Sequence, residues 1–242
     1  MKKLFLLLIL PFLSFAQNEI GADEIIEMIN DGKDVVLADK VILGTLDFTE
    51  INNQEKLTGK ESPQFKSVVT VRLEFVNCVF EDDLIAFKNI KDKNNQWGET
   101  YTADFDQEVS FTSCLFKGDF TAKYSSFQEK AVFEASRFEK EANFKYAKFK
   151  EIAGFGNVMF NEAASFKYTK FYSDADFFSN QYSGIADFKY AKFEQRATFK
   201  KSAFDNHADF KYANFAENGV FVNVNFGAGV DFKYTKGNIY RD

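Results

Sequence analysis

The residue types best suited to binding recur at a fixed interval along the second half of the chain. The phrase Phe-Lys-Tyr begins at Phe144 and returns four more times, so that equal residues of the phrase stand 22 apart. It supplies five tyrosines and five lysines: Tyr146, Tyr168, Tyr190, Tyr212, Tyr234, Lys145, Lys167, Lys189, Lys211 and Lys233. If equal positions stack in space, these residues form aromatic and cationic columns. Such columns could bind an extended acidic polymer, for example an envelope polysaccharide.

A second interpretation of the same columns is purely structural. Stacked tyrosines would shield the turns of the chain, and the lysines would pair with the carboxylates of Asp187, Asp209 and Asp231. Further lysines lie just beyond the tyrosines, at Lys148, Lys170, Lys192 and Lys236. Duplication of a repeat produces such columns without any selection for binding. Both interpretations remain open from the sequence.

Residue patterns that support catalysis are missing from the sequence. His207 is the only histidine and lies in the turn-like stretch DNHADF, where a solvated side chain is expected. The glycines of GFG at 154 and GAG at 227 fit turns of a repeat and not a phosphate-binding loop. Carboxylates repeated beside lysines are typical of a solvated face. We therefore predict no enzyme activity, no metal, no cofactor and no small-molecule substrate.

The two cysteines share a local pattern. Cys78 lies in FVNCVF and Cys114 in FTSCLF, so each precedes a phenylalanine by two residues. On neighbouring strands they would lie about 4.8 Å apart, which is compatible with a disulfide. Two buried thiols acting as small hydrophobic groups are the alternative.

The elements that position these residues follow from the spacing of phenylalanine. Starting at Phe111, alternating steps of five and six residues meet Phe at nearly every position as far as Phe232. A small residue, mostly Ala, stands two before each Phe, so both point to the same side of a short strand. A helical coiled coil would instead need apolar residues three and four apart. Stacked units of this kind predict a β-solenoid with a phenylalanine core.

Two positions depart from this pattern. Where Phe is replaced by Ala122, the small position two earlier holds Phe120, so large and small residues have exchanged and the enclosed volume is kept. At Tyr182 a hydroxyl enters the predicted core and must find a partner. We expect a local irregularity there.

The units AN-F-KY at Phe144 and AD-F-KY at Phe188 and Phe210 resemble the pentapeptide-repeat family. The resemblance is strong from Thr102 to about Gly237 and looser over residues 37–87. It implies an all-β fold: a right-handed quadrilateral β-helix (β-solenoid) with the central Phe and the residue two before it facing inward. Because sides of five and six alternate here, one coil would take about 22 residues, within the usual range of solenoid repeats, instead of the 20 of the plain form.

The remaining segments suggest ends and insertions. Residues 21–31 have isoleucines on one helical face and predict a short helix within an N-terminal cap, residues 17–36. The β-helix would span residues 37–237, with loops near 49–66 and 88–103, and residues 238–242 would form a tail. A tail this short leaves the last coil open to pair with a second copy. We therefore predict a homodimer through the C-terminal coils, which the resemblance also implies.

The N-terminal segment, residues 1–16, predicts a signal peptide. Two lysines precede an apolar run that is shorter than the roughly 20 residues needed to span a bilayer, and small residues precede a cut between Ala16 and Gln17. The mature chain would have 28 basic and 36 acidic residues, a formal charge of −8, and no transmembrane segment. We expect an exported protein in the periplasm, in the cell envelope or outside the cell.

Together these features predict a non-catalytic structural or interaction protein of the cell envelope, a rigid support that offers repetitive faces to a protein or glycan partner. The resemblance suggests an alternative, because the best-known relatives are DNA mimics that inhibit topoisomerases. The export signal and the lysine columns oppose that alternative, and nucleic acid is not an expected partner.

Overall fold

The computed structural model describes residues 18–59, 62–92 and 95–241. Within these ranges there is one α-helix, Ala22–Asn30, and one 3-10 helix, Phe48–Glu50. All other elements are strands, most of them only two residues long and paired in parallel. They form three sheets, and the largest sheet contains two of the four columns into which the strands stack. The fold is thus all-β and consistent with a β-solenoid.

The four columns are numbered in chain order. The first column contains Val35–Ala38, Leu73–Val76, Val109–Thr112, Ala131–Val132, Ala153–Gly154, Ala175–Asp176 and Ala197–Thr198. The second contains Glu19–Gly21, Val41–Leu43, Val79–Phe80, Leu115–Phe116, Arg137–Phe138, Met159–Phe160, Gln181–Tyr182, Ala203–Phe204 and Asn225–Phe226. The third contains Leu46–Asp47, Leu84–Ile85, Phe120–Thr121, Ala142–Asn143, Ala164–Ser165, Ala186–Asp187, Ala208–Asp209 and Val230–Asp231.

The fourth column contains Gln64–Val69, Asn95–Phe105, Ser126–Phe127, Lys148–Phe149, Lys170–Phe171 and Lys192–Phe193. Two longer strands, Asn214–Phe221 and Lys236–Arg241, end this column and the first one together. In the repetitive part, paired residues stand 22 apart, as in Ala142 with Ala164 and Ala164 with Ala186. Equal positions of the repeat therefore lie next to one another.

Phenylalanine rings fill the space between the columns. Phe144 stacks on Phe166 at 5.1 Å between ring centroids, and Phe166 stacks on Phe188 at 4.9 Å, with the rings nearly parallel. Rings of the first and third columns meet edge to face across the interior, as Phe155 does with Phe166 at 86°. Burying each ring contributes about 1.5–3 kcal/mol. Except in the last layer, the inward Ala and Phe of the repeated units are buried, as predicted.

Both departures from the repeat lie inside this core. Phe120 and Ala122 are both buried, in keeping with the predicted exchange of large and small residues. The irregularity expected at Tyr182 is absent: its ring stacks on Phe160 at 5.0 Å and on Phe204 at 4.5 Å. The prediction was wrong because Asn180 supplies the hydroxyl with a hydrogen bond of 3.1 Å inside the core.

The predicted N-terminal helix covers one end of the stack. Ile25 and Ile29 of Ala22–Asn30 are buried against the strands Leu46–Asp47 and Val35–Ala38. The amide of Gly21 donates to the Glu24 side chain at the start of this helix. The helix therefore covers inward-facing residues that would otherwise be exposed.

The two segments predicted to be loops contain strands instead. Glu55–Leu57 pairs antiparallel with Gln64–Val69, and Phe87–Asp92 pairs antiparallel with Asn95–Phe105. The second partner of each hairpin continues into the fourth column, because Ala103 and Phe105 repeat the inward small-x-Phe unit. The insertions lengthen the offset between paired residues to 38 for Val41 with Val79 and 36 for Val79 with Leu115. Both are hairpins that project from an uninterrupted stack.

The predicted C-terminal tail is also a strand over most of its length. Lys236–Arg241 pairs with Asn214–Phe221 and forms the last edge of the stack. Phe226, Phe232 and Ile239 in this last layer are only partly buried. The guanidinium group of Arg241 lies 3.8 Å from the centre of the Phe232 ring and covers part of this end.

The predicted signal peptide and its cut between Ala16 and Gln17 lie outside the described residues. In the part of the chain that the structure does describe, no helix has the length and apolar character needed to cross a membrane.

Candidate binding face

The five tyrosines of the repeated phrase form one continuous stack, which we call the tyrosine ladder. Successive rings from Tyr146 to Tyr234 lie 4.7–4.8 Å apart and within 13° of parallel. The structure adds a sixth member, Tyr124, which stacks on Tyr146 at 4.8 Å. Tyr124 escapes the sequence pattern because Ala122 replaces Phe in its phrase, although Lys123 and Tyr124 stand one full repeat interval before Lys145 and Tyr146.

A left-handed turn fixes the position of each tyrosine. In the repeat at Phe144, the amide of Ala147 donates to the Phe144 carbonyl at 3.0 Å, and the intervening Tyr146 has a φ of 63°. A positive φ at the third residue is what a type II turn requires, and it disfavours residues other than Gly and Asn. All six ladder tyrosines have φ between 58° and 65°. Stacking along the ladder offsets the local backbone cost.

The ladder presents ring edges and hydroxyl groups outward. Each internal ring has its two faces covered by its neighbours, so only the rings at the ends have a face that no other ladder tyrosine covers. Partial burial and the adjacent Tyr190 and Tyr146 raise the pKa of Tyr168. The Tyr168 hydroxyl therefore stays protonated at neutral pH and can donate a hydrogen bond to a ligand.

The lysine column beside the ladder divides into two parts. Lys189 pairs with Asp209 and Lys211 with Asp231, each at 3.1 Å. Lys145 and Lys167 instead lie over the rings of the following tyrosines, at 5.3 and 5.6 Å from the ring centres. The pKa of Lys189 and that of Lys211 are raised because their aspartates accept hydrogen bonds. Among the described residues, Lys145, Lys167 and Lys233 therefore have no carboxylate partner, whereas Lys189 and Lys211 each have one.

For Lys145, Lys189 and Lys211 this division follows from the third strand column. Its outward residue changes along the stack from Asn143 and Ser165 to Asp187, Asp209 and Asp231. Each of these aspartates also accepts the backbone amide two residues later. For Asp231 this bond, from Lys233 at 2.8 Å, is the main reason that its pKa is lowered. The layer at Asp187 is the first in this run that adds an aspartate to the face.

The predicted lysines beyond the ladder are distributed more evenly. Lys148, Lys170 and Lys192 pair as neighbours in the fourth column. Lys170 reaches Glu194 at 3.0 Å, whereas Lys148 and Lys192 have no ion-pair partner among the described residues. Lys236 begins the last strand and is exposed.

The remaining residues considered for chemistry have structural surroundings. The carbonyl of His207 accepts the amide of Ala186 at 3.1 Å, and the half-buried His207 side chain lies between the strands Ala203–Phe204 and Ala208–Asp209. Within the described ranges, no group of three or more His, Cys, Asp or Glu side chains could hold a metal ion.

Cys78 and Cys114 are buried free thiols on neighbouring layers, where the amide of Leu115 donates to the Cys78 carbonyl at 2.8 Å. A hydrogen bond with the Cys114 thiol lowers the pKa of Cys78 to about 7. The same contact and burial raise the pKa of Cys114. The structure has the thiol form, and the disulfide stays a prediction for the exported protein.

Stacked parallel strands around a column of inward rings are consistent with a repeat protein of the β-solenoid class. Within it, residues 188–236 match the family model described as pentapeptide repeats (9 copies), which confirms the resemblance over those residues. Proteins with such repeats are generally non-catalytic and serve structural or interaction roles, and the match suggests such a role here. No curated protein and no solved structure matches the chain.

Proposed function

We propose that this chain is a non-catalytic interaction protein of the cell envelope that binds an acidic glycan. The binding surface is the Lys–Tyr face, defined as the tyrosine ladder together with its lysine column: Lys123, Lys145, Lys167, Lys189, Lys211 and Lys233. Behind it, the repeats form a right-handed, four-sided β-helix with about 22 residues per coil, a length usual for solenoid repeats. The pairing of residues 22 apart and the matched repeat segment support this architecture.

The unequal pairing of the lysine column is the observation that carries this proposal. Lysines that only shielded the fold from lateral aggregation would pair equally along the column. Instead, the outward residues opposite Lys123 and Lys145 in the next layer are Asn143 and Ser165, which carry no charge. Ammonium groups without a carboxylate partner, next to a row of hydroxyl groups, suit a polymer that carries both carboxylates and hydroxyls.

A rigid support makes such a face effective for an extended ligand. Successive hydroxyl groups are carried on rings 4.7–4.8 Å apart, and their backbone is held by parallel strand pairing on both sides. A polymer that contacts several layers therefore binds without ordering the protein further, which reduces the entropy lost on association. Because the lysines are solvent-exposed or half-buried, the attraction should weaken as salt is added.

Retention of the mature chain, residues 17–242, on immobilised polygalacturonate tests the proposal. We expect retention at low salt that falls as salt rises, and none on neutral dextran. Equal retention on dextran, or none on either polymer, would remove the glycan from the proposal. The DNA-mimic alternative is tested separately, by whether the mature chain inhibits a DNA topoisomerase in competition with double-stranded DNA, which the lysines on this face do not favour.

Export is part of the same proposal and rests on the sequence of residues 1–16. It predicts that protein recovered from the periplasm or the medium begins at Gln17. N-terminal mass spectrometry of each cell fraction measures this directly. Uncleaved protein found only in the cytoplasm would contradict export.

We also propose a homodimer through the last layer of the stack. The strand Lys236–Arg241 is the final edge, and the apolar side chains of Phe226, Phe232 and Ile239 beside it are partly exposed. An open strand edge next to apolar surface is suited to pairing with an identical edge.

A further inference from the structure

A cleft lies at the N-terminal end of the tyrosine ladder, beside the two hairpins. It encloses about 670 Å³, a volume typical of sites for small molecules. Tyr124, the first ring of the ladder, forms part of its wall, and Phe87 lies beside that ring at 5.6 Å and 50°. The tilt breaks the parallel stacking, so the ladder ends in an aromatic corner instead of another covered ring.

The charge of this cleft is positive. Lys66, Lys123 and Lys148 line it, and no carboxylate does so among the described residues. The ammonium group of Lys66 is neutralised by Asp104 at 2.7 Å. Lys123 has no carboxylate partner in the described part of the chain; it lies 4.4 Å from the centre of the Phe87 ring and 5.0 Å from that of Tyr124. Burial and the neighbouring Lys145 lower the pKa of Lys123, so an anion placed beside it would be favourable.

Neutral hydrogen-bonding groups line the rest of the cleft. Gln64, Asn89, Thr100 and Thr102 line this part of it, and the Thr102 hydroxyl donates to the Phe65 carbonyl at 3.3 Å, which leaves its oxygen able to accept a further hydrogen bond. Asn89 donates to Thr100 at 2.9 Å, which fixes the orientation of both side chains. Such groups exchange hydrogen bonds with hydroxyls and do not require a second charge.

We propose that this cleft binds one acidic sugar residue, a uronate. The carboxylate lies between the ammonium groups of Lys123 and Lys148, the apolar face of the sugar ring lies against the aromatic corner of Phe87 and Tyr124, and the hydroxyls bond to Gln64 and Thr102. The two ammonium groups match the carboxylate of a uronate, the aromatic wall matches the apolar face of its ring, and the neutral polar groups match its hydroxyls. The site shares Lys123 and Tyr124 with the Lys–Tyr face and rests on the proposed function, but it would bind a monosaccharide even if the extended face bound no polymer.

Calorimetric titration of the mature chain with galacturonate, galactose and galactose 6-phosphate tests the proposal. We expect saturable galacturonate binding about tenfold tighter than that of galactose, the difference that one charge-assisted hydrogen bond supplies. Equal affinity for galactose, tighter binding of the sugar phosphate, or no galacturonate binding would overturn it.

Substitutions locate the site. Lys123→Met and Lys148→Met should each weaken galacturonate binding about tenfold, while Lys123→Arg retains it. The matched control is Lys192→Met, at the same repeat position as Lys148 but two layers further along. Unchanged binding in Lys123→Met, or equal losses in Lys192→Met, would contradict the assignment.

A measurement on the unmodified chain avoids any effect of substitution on folding. Galacturonate should shift the aromatic NMR signals of Phe87 and Tyr124 and leave those of Tyr234, at the other end of the ladder, unchanged. Shifts at Tyr234 alone would overturn the proposal. The readout uses a monosaccharide and cleft residues, so its failure leaves polymer binding by Lys145 and Lys167 as a separate question.

Discussion

The side-chain amide of Asn180 donates a 3.1 Å hydrogen bond to the hydroxyl of Tyr182, and both residues are buried in the phenylalanine core. The carbonyl oxygen of the same Asn180 side chain accepts the amide of Val158 at 2.8 Å. In the next layer Ser202 occupies the position of Asn180 and Phe204 that of Tyr182. Both residues of the polar pair are thus replaced together in the next layer, and the Tyr182 ring keeps its place in the stack between Phe160 and Phe204.

This pairing predicts that the two residues are coupled in stability. Tyr182→Phe leaves the Asn180 amide without its acceptor in the core and should lower the free energy of unfolding by about 1–3 kcal/mol. Adding Asn180→Ser recreates the unit found at Ser202 and Phe204 and should recover most of that loss. Urea denaturation of the wild type, both single variants and the double variant measures the coupling. Additive losses in the double variant would show that the two side chains are independent.

Tyr190 tests how the ladder offsets its left-handed turns. Tyr190→Ala loses stacking with both neighbours, worth about 0.5–1.5 kcal/mol for each pair, and keeps a β-carbon at positive φ. Tyr190→Gly loses the same stacking but relieves the backbone, so it should be more stable than the Ala variant by about 1 kcal/mol. Tyr190→Phe keeps the stack and should melt like the wild type. Thermal denaturation of all three variants separates the contribution of ring stacking from the backbone cost of the positive φ. Equal melting temperatures of the Ala and Gly variants would argue against backbone strain at the turn.

The cysteine pair predicts a pH dependence. The pKa of Cys78 is about 7 in the folded protein and 9.0 in an unperturbed thiol. Between these values the unfolded chain holds a proton that the folded chain has released, so the stability of the reduced protein should rise with pH across this window. Cys114→Ala removes the hydrogen bond responsible and should flatten the rise.

Denaturation at several pH values, with and without reductant, measures both forms of the pair. A disulfide between Cys78 and Cys114 removes the titration, so an oxidised sample should show no such rise. An equally steep rise in the Cys114→Ala variant would exclude the pair as its source.

The homodimer predicts a change of mass with concentration. Light scattering of the mature chain should show a shift from monomer to dimer, and Ile239→Lys in the last strand should keep it monomeric because it places a charge in the apolar edge. Ile185→Lys, at an exposed isoleucine two layers before the last one, is the control. A wild-type chain that remains monomeric over the whole series would rule out the dimer.

Much of the fold follows from the sequence because each layer repeats the same inward pair of residues. The Phe144 column and the stacking of Tyr146 on Tyr168 are predictable from the constant repeat interval alone. The hairpin strands Glu55–Leu57 and Phe87–Asp92 are not, because they pair antiparallel outside the repeat and their polar residues resemble loops.

The candidate sites depend on contacts between layers, which a periodic pattern does not reveal. Lys189 pairs with Asp209 of the next layer. Whether the charge of a lysine in this column is neutralised therefore depends on the residue that the next layer places beside it. The cleft combines residues from both hairpins with Lys123 and Lys148, segments that share no motif. Its aromatic corner also depends on Tyr124, which the repeated Phe-Lys-Tyr phrase does not identify because Ala122 stands in the place of Phe.

The matched lysine variants test the central claim that the N-terminal part of the Lys–Tyr face binds an acidic glycan. Retention on immobilised polygalacturonate is compared for Lys145→Gln/Lys167→Gln and for Lys189→Gln/Lys211→Gln, which change the same repeat positions by the same chemistry. We predict that the first pair weakens binding about tenfold, because these lysines have no carboxylate partner among the described residues, and that the second pair changes it little. Equal effects of the two double variants, or no effect of the first, would contradict the account.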